Sequence, residues 1–219
     1  MTPAAPATAF SEDICTRAPV IPVLVVHDPA HAQPLARALV AGGLPVLEVT
    51  LRTPAAIEVI AEMSQVEGGI VGAGTVLTPT HAADAKTAGA KFAVSPGVTD
   101  LLIDSCEAVE LPLLPGASTA TEAMRLLERG YSVQKFFPAE AAGGNKFLKS
   151  LASPLPQIRF CPTGGVSLAN ASDYLSLPNV LCVGGSWVAP QQLIEAGDWD
   201  GITTLARTAA KLSLSGQTG

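Results

Sequence analysis

Short runs rich in Val, Ile, Leu and Phe alternate along the chain with longer, alanine-rich segments of mixed polarity. This alternation is typical of β-strands that are followed by crossover helices. Most of the runs are apolar at successive positions, as expected of parallel strands that are covered by helices on one side and packed inside a barrel on the other. The pattern predicts eight strands, over residues 20–26, 46–51, 69–76, 92–95, 111–114, 132–137, 158–162 and 180–184.

Residues that favour helix starts follow most of the predicted strands. The candidate caps and first-turn prolines are Asp28-Pro29, Thr53-Pro54, Thr78-Pro79, Thr99-Asp100, Ser118-Thr119 and Ser167. Eight consecutive strand–helix units can close into a barrel or remain an open, doubly wound sheet, and the count of eight favours the barrel. The dinucleotide-binding form of the open sheet loses its main support because no G-x-G-x-x-G motif follows the first strand.

The expected fold is therefore α/β, a (β/α)8 TIM barrel with an additional N-terminal helix. Residues 1–219 are expected to form a single barrel domain, of which residues 1–18 are a helical extension. Active sites in such barrels lie at the carboxyl ends of the strands, so polar residues at those ends become candidates.

Composition and charge narrow the class of protein. A hydrophobic fraction of 48% with 15% charged residues predicts a chain that buries a substantial core. The net charge of -6 and the scattering of Lys and Arg argue against nucleic acid as a partner. The longest charge-free stretch, residues 174–194, contains prolines and glycines that would leave backbone groups unpaired in lipid, so no membrane association is expected.

Cysteine usage and the first residues of the chain predict a cytoplasmic location. Cys15, Cys106, Cys161 and Cys182 are widely spaced and form no C-x-x-C pattern, so we expect them to be reduced and mostly buried. The first twenty residues lack a positive leader and a sustained apolar segment, which predicts no export signal.

The second predicted strand carries charged and polar side chains on one face. Glu48, Thr50 and Arg52 alternate with apolar residues and so point to the same side. A carboxylate inside a barrel is costly, and Glu48 is either an acid/base group or one half of an ion pair with another strand. Arg52 either binds an anion or lies in solvent at the strand end.

Lys135 lies among apolar residues in the sequence V-Q-K-F-F-P. Desolvation disfavours the ammonium form, and the free amine is the nucleophile that forms a Schiff base with a carbonyl. The alternative is a lysine whose stem packs on the rings while its head reaches water. The shared parity of Lys135 with Val133 and Phe137, close to the barrel mouth, favours the first interpretation.

Glycine-rich turns follow the last two predicted strands, Gly164-Gly165 after the seventh and Gly184-Gly185-Ser186 after the eighth. Barrels commonly hold phosphate at these two turns, although a single Gly-Gly pair would also meet a need for positive φ. The third strand ends in Gly72-Ala73-Gly74-Thr75, where small residues allow a close approach and Thr75 adds a hydroxyl. The three histidines show no ligand spacing, so we expect no metal site.

Six motifs together resemble the bacterial 2-keto-3-deoxy-6-phosphogluconate aldolases. They are L-E-V-T-L-R-T from Leu47, G-A-G-T-V from Gly72, S-P-G from Ser95, K-F-F-P-A-E from Lys135, P-T-G-G from Pro162 and G-G-S-W from Gly184. The resemblance runs from Ile14 to Ala209 and departs from the family pattern at His27-Asp28 and Ala142, which are not catalytic positions.

The resemblance implies a class I aldolase of the Entner-Doudoroff pathway, without metal or other cofactor, that acts as a homotrimer. It would cleave a phosphorylated keto-deoxy sugar acid to pyruvate and glyceraldehyde 3-phosphate, with Lys135 as the Schiff-base lysine and Glu48 as the acid/base. The implied binding residues are Arg52 and Thr75 for the carboxylate, Thr163, Gly164, Gly165, Gly185 and Ser186 for the phosphate, and Pro96 and Phe137 for an apolar wall.

Other functions share part of this set of residues. Aldolases of 4-hydroxy-2-oxoglutarate or of the galactonate epimer would use the same lysine, glutamate and arginine. A phosphate-binding barrel isomerase or synthase would need the glycine turns but no Schiff-base lysine, and a non-catalytic metabolite-binding barrel would need neither Lys135 nor Glu48.

Overall fold

Parallel strands connected by helices form the body of the structure, a computed structural model that describes residues 5–212. The strands are β1 Val20–Leu24, β2 Val46–Thr50, β3 Ile70–Gly74, β4 Phe92–Val94, β5 Leu113–Leu114, β6 Gly116–Ala117, β7 Val133–Phe136, β8 Arg159–Pro162 and β9 Val183–Gly185. The helices are α1 Ala5–Thr16, α2 Ala32–Ala41, α3 Ala56–Met63, α4 Pro79–Thr87, α5 Asp100–Ala108, α6 Ala120–Glu128, α7 Gly144–Leu151, α8 Ala171–Leu175, α9 Gln191–Ala196 and α10 Trp199–Ala210, with a 3-10 turn at Pro29–His31.

The strands form two parallel sheets, which confirms the predicted α/β class. Six strands pair in the order β5-β4-β3-β2-β1-β9, and the other three pair in the order β6-β7-β8. Isolated parallel bridges join Phe160 to Val180 and Thr163 to Gly184, between β8 and the segment that contains β9. Pro115 separates β5 from β6, and its carbonyl accepts a hydrogen bond from the Lys135 N–H at 2.9 Å.

Each predicted strand overlaps an observed strand, and the differences lie at the ends. The predicted fifth strand stops at Leu114, whereas the structure resumes pairing at β6 after Pro115, a residue that has no N–H to donate. The predicted N-terminal extension covers α1, and residues 1–4 of it lie outside the described residues, as do residues 213–219.

Four of the six predicted helix starts act as caps. The side chains of Asp28, Thr78, Thr99 and Thr119 accept backbone N–H groups of the first turn, and Thr119 forms a capping box with Glu122.

The predicted helix starts at Thr53 and Ser167 are wrong. The Thr53 hydroxyl donates to the Val26 carbonyl at 2.8 Å, and α3 begins three residues later, at Ala56. The Ser167 N–H donates to the side chain of Asn170 at 2.8 Å, and α8 begins at Ala171. Thr53 is therefore bonded to the loop after β1, and Ser167 to a residue of its own loop, so neither side chain caps the helix that follows.

The core has two parts, one between the strands and the outer helices and one between the inner faces of the two sheets. The inner part contains Phe92, Val94 and Val133 from the strands together with Ile14 and Cys15 from α1. All four cysteines are free and buried, as predicted. None of the helices in the described part of the chain has the length and apolar character needed to span a bilayer.

Candidate active site

A buried ion pair between Lys135 and Glu48 joins the inner faces of the two sheets. The Lys135 Nζ donates to Glu48 Oε1 at 3.1 Å, and the two side chains are only 5% and 4% exposed. The Nζ also lies 5.3 Å from the centre of the Phe137 ring. The lysine head therefore does not reach water, which excludes the alternative of a lysine that extends to solvent.

Strand alternation explains why these two residues meet. Glu48 shares its face of β2 with Val46, and Lys135 shares its face of β7 with Val133, and both valines belong to the inner part of the core. Removing two charges from water costs free energy that mutual attraction offsets only in part. The distance of 3.1 Å is within the range for direct proton transfer between an amine and a carboxylate.

Arg52 and Thr75 lie together at the ends of β2 and β3. The Arg52 Nε donates to the Thr75 hydroxyl at 3.3 Å, and Arg52 is exposed. Among the described residues, no carboxylate forms an ion pair with this guanidinium. Thr75 has a φ of 59°, an uncommon conformation for a β-branched residue. A free guanidinium beside a fixed hydroxyl can hold a carboxylate.

The glycine turns after β8 and β9 present unused backbone donors. Gly164 and Gly165 have φ values of 98° and 80°, so this turn does need glycine for its conformation. In the described part of the chain, the N–H groups of Gly164, Gly165 and Ser186 donate to no protein acceptor. Successive free N–H groups in such turns form concavities that bind anions.

One pocket extends from Arg52 to the glycine turns at the carboxyl ends of the strands. It measures about 270 Å³, and Arg52, Phe137 and Ser186 all line it. The predicted residues Thr163, Gly164, Gly165 and Gly185 line it as well, together with Val23, Val25, Val166 and Gly184. The structure thus brings Arg52 and the predicted phosphate residues into a single opening, whereas Thr75, Glu48 and Lys135 are not among the residues that line it.

Glu140 and Tyr174 support the turn at Gly164, and this contact was not predicted from the sequence. The Glu140 N–H donates to the Gly164 carbonyl at 3.0 Å, and the Glu140 carboxylate accepts a hydrogen bond from the Tyr174 hydroxyl. Burial and this carboxylate raise the pKa of Tyr174, so the phenol remains a donor. Val23 and Val25 were also missed, although they share the strand face of Ile21 in the inner core.

Pro96 is not among the residues that line this pocket. It lies after β4 and lines a second pocket of about 310 Å³, with Gly97, Gly116 and residues of α5 and α6. The histidines take no part in the site: His27 is exposed, His31 lies 5.8 Å from the Trp199 ring, and the His81 Nδ1 accepts the Leu77 N–H. No group of three or more metal-ligating side chains occurs within residues 5–212.

Comparison with protein families adds an independent finding. The model of the KDPG and KHG aldolase family matches residues 11–205. The 2-dehydro-3-deoxy-phosphogluconate aldolase of Pseudoalteromonas atlantica is 54% identical over 200 residues, which cover 91% of this chain and 93% of the relative.

Solved structures agree with the sequence comparison. The 2-keto-3-deoxy-6-phosphogluconate aldolase of Zymomonas mobilis, solved with 3-phosphoglycerate, superposes with a TM-score of 0.90 at 48% identity over 95% of this chain and 99% of that one. The KDPG aldolase of Legionella pneumophila, with pyruvate captured at low pH as a covalent carbinolamine intermediate, gives a TM-score of 0.89 at 46% identity over 92% of this chain and 98% of that one.

Proposed function

This chain belongs to the KDPG and KHG aldolase family, and we propose that it is a class I aldolase that cleaves 2-dehydro-3-deoxy-6-phosphogluconate (KDPG). The products are pyruvate and glyceraldehyde 3-phosphate, and Lys135 forms the Schiff base. The observation that carries this proposal is the buried Lys135–Glu48 pair, 3.1 Å apart, beside a pocket that contains Arg52 and the glycine turns.

The first half of the reaction builds the imine. The free amine of Lys135 attacks the C2 carbonyl, and the carbonyl oxygen takes up a proton to give a carbinolamine. Glu48 then donates a proton to the C2 hydroxyl, which leaves as water, and a protonated imine remains. Arg52 and Thr75 hold the adjacent carboxylate, because the guanidinium can bind both of its oxygens.

The second half breaks the carbon chain. The Glu48 carboxylate accepts the proton of the C4 hydroxyl, the C3–C4 bond breaks, and the electron pair of that bond moves into the imine to give an enamine of pyruvate. C4 becomes the aldehyde carbon of glyceraldehyde 3-phosphate, which leaves the site. Glu48 then returns a proton to C3, and water hydrolyses the imine, which releases pyruvate and free Lys135.

The phosphate end of the substrate binds at the glycine turns. Gly164, Gly165 and Gly185 approach it through their backbone, while Thr163 and Ser186 add hydroxyls. Phe137 forms an apolar wall of this pocket, whereas Pro96, the other predicted wall residue, lines the separate pocket of about 310 Å³. Unused donors in these turns favour a phosphorylated substrate over 4-hydroxy-2-oxoglutarate, which has no phosphate. The galactonate epimer is distinguished by comparing kcat/KM for the two epimers.

The two sheets are proposed to close as one (β/α)8 barrel, in which β5 and β6 form a single strand interrupted by Pro115. Hydrogen bonds support both joints: Lys135 N–H to the Pro115 carbonyl at 2.9 Å, and Leu181 N–H to the Phe160 carbonyl at 3.0 Å. Helix α1 is then an addition to the barrel, and the domain spans residues 1–219.

We also propose that the protein is a homotrimer and that it is located in the cytoplasm. Leu77, Leu101 and Met124 are 53%, 65% and 49% exposed, and they lie at or just before the successive helices α4, α5 and α6. Large apolar side chains exposed on neighbouring elements are typical of a surface that another subunit covers. The four free cysteines fit a reducing compartment. Light scattering is expected to give three times the chain mass of 22.3 kDa, and a monomer would contradict the assembly.

Pyruvate and borohydride test the mechanism directly. Reduction should attach pyruvate irreversibly to Lys135, as identified by peptide mass mapping, because only an imine is trapped. Lys135→Ala should fold normally, remain unlabelled and cleave no KDPG. Labelling of another lysine, with Lys135 unmodified, would exclude the proposed Schiff base.

A further inference from the structure

Two glycines leave gaps on the inner face of β3. Gly72 and Gly74 alternate with Val71 and Ala73, so their missing side chains would both point to the face on which Phe92 and Glu48 lie. The register places Gly72 between Glu48 on β2 and Phe92 on β4, and it places Gly74 beside Thr50. The neighbouring strands must therefore supply the atoms that fill these gaps.

The two gaps are filled by different kinds of side chain. A Cβ added to Gly72 would collide with the ring of Phe92. A Cβ added to Gly74 would collide with Glu48 Oε1 and lie 2.7 Å from its Cγ and 2.9 Å from its Cδ. Neither glycine has a positive φ, so the requirement at both positions is for space and not for conformation.

The Glu48 atom that fills the gap is the same atom that contacts the lysine. Glu48 pairs with Gly72, and its side chain extends toward the strand ends to lie over Gly74. Its Oε1 occupies the space next to Gly74, and the same atom accepts a hydrogen bond from the Lys135 Nζ at 3.1 Å. A side chain at position 74 would displace the oxygen that exchanges protons at Lys135.

We propose that Gly74 is a positioning residue, whose missing side chain provides the space in which the Glu48 carboxylate reaches Lys135. This inference rests on the proposed function, in which Glu48 carries protons to and from the imine and the enamine. Proton transfer needs a heavy-atom distance of about 2.6–3.2 Å. Displacement by about 1 Å can cost roughly a hundredfold in rate.

Gly74→Ala is the test, and Gly72→Ala is the matched control. Both add one methyl group to the same face of the same strand, but only the first meets Glu48. Two readouts are compared: the fraction of Lys135 trapped by pyruvate and borohydride, and the rate at which the pyruvate methyl group exchanges hydrogen for deuterium, followed by NMR. Exchange requires proton transfer at C3 of the enamine, whereas the trapped fraction reports imine formation.

Gly74→Ala should lower the exchange rate per trapped imine at least about tenfold. Gly72→Ala should lower the thermal midpoint, because its methyl group disturbs Phe92, but keep exchange per imine within about twofold of the wild type. In a Glu48→Gln background, Gly74→Ala should add little further loss, because the carboxylate that it displaces is already absent. Normal exchange per imine in Gly74→Ala, or a full additional loss in the Glu48→Gln background, would overturn the inference.

If Gly74→Ala does not fold, a second pair of variants tests the contact between position 74 and Glu48. Glu48→Ala/Gly74→Ala removes the side chain that the new methyl group would meet, so its thermal midpoint should lie within about 2 °C of that of Glu48→Ala. A much lower midpoint would refute the contact. Failure of the wild type to label at Lys135 would instead refute the aldolase mechanism, so the two failures are distinguishable.

Discussion

Replacement of Ser186 by aspartate separates the proposed phosphate site from the chemistry at Lys135. Ser186 is exposed and lines the same pocket as Gly164 and Gly165. Its own N–H belongs to the set of backbone donors that remain unused in the described chain. A carboxylate here would lie beside the phosphate dianion of the substrate, while the Lys135–Glu48 pair would remain unchanged.

The magnitude follows from Coulomb's law in a solvated setting. Two unit charges about 4 Å apart interact by about 1 kcal/mol in water, so a carboxylate facing a dianion opposes binding by about 2 kcal/mol. That free energy corresponds to roughly thirtyfold in affinity. Salt near 0.1 M screens part of the repulsion. We therefore expect kcat/KM for KDPG to fall at least about tenfold.

The assay compares cleavage of KDPG with borohydride trapping of pyruvate on the same variant. Trapping should stay near the wild-type level, because pyruvate carries no phosphate. Ser186→Asn is the matched control, since it has nearly the same shape without the charge, and its loss should be clearly smaller. The difference between the two variants should shrink at about 1 M salt. Equal losses in cleavage and trapping, or equal losses for Asp and Asn, would refute a phosphate site at this turn.

Three further predictions address other groups. Glu48→Gln should keep a trappable imine but lose about two to four orders of magnitude in kcat, and near-normal turnover would make Glu48 structural. Exhaustive EDTA treatment should leave activity unchanged, because the imine serves as the electron sink, and recovery that requires added metal would contradict this. Glu122→Ala should lower the free energy of unfolding at pH 7 by about 1 kcal/mol in urea titrations.

The Glu122 difference should depend on pH in a defined direction. Hydrogen bonds from Ser118, and then from Thr119, lower the pKa of the Glu122 carboxyl. The carboxylate therefore stabilises the fold above its unfolded-state pKa of about 4.3, and this contribution is lost as the pH falls through the folded-state value. The difference between wild type and variant should thus shrink in acid, and a difference that grows in acid would contradict the assigned contacts.

Local alternation along strands was enough to predict much of the site. The period of two assigned Glu48 to one strand face with Thr50 and Arg52, and Lys135 to one face with Val133 and Phe137. The structure shows that Glu48 and Lys135 are both buried. The glycine turns were predicted from their position after the last two strands. Residues that touch across long stretches of sequence gave no comparable signal, as with Glu140 and Tyr174, which lie 34 positions apart.

The helix starts could also be predicted only in part, because tertiary contacts decide which side chains act as caps. Thr99 and Thr119 act as caps, whereas Thr53 does not, although all three follow predicted strands. The Thr53 hydroxyl donates a hydrogen bond to the Val26 carbonyl, which lies 27 positions away in the neighbouring strand–helix unit. A cap can be predicted from sequence only where no tertiary acceptor competes for the same side chain.

Locally unfavourable features converge at the carboxyl ends of β2, β3 and β7. Lys135 and Glu48 are charged and buried, and Thr75 adopts a left-handed backbone conformation with a φ of 59°. A residue in such a conformation costs about 1–3 kcal/mol, and a buried ion pair is often no more stabilising than apolar residues of the same volume. Stability alone therefore does not account for this combination. Its coincidence with a pocket of unused donors is what we expect of a site selected for chemistry at the expense of stability.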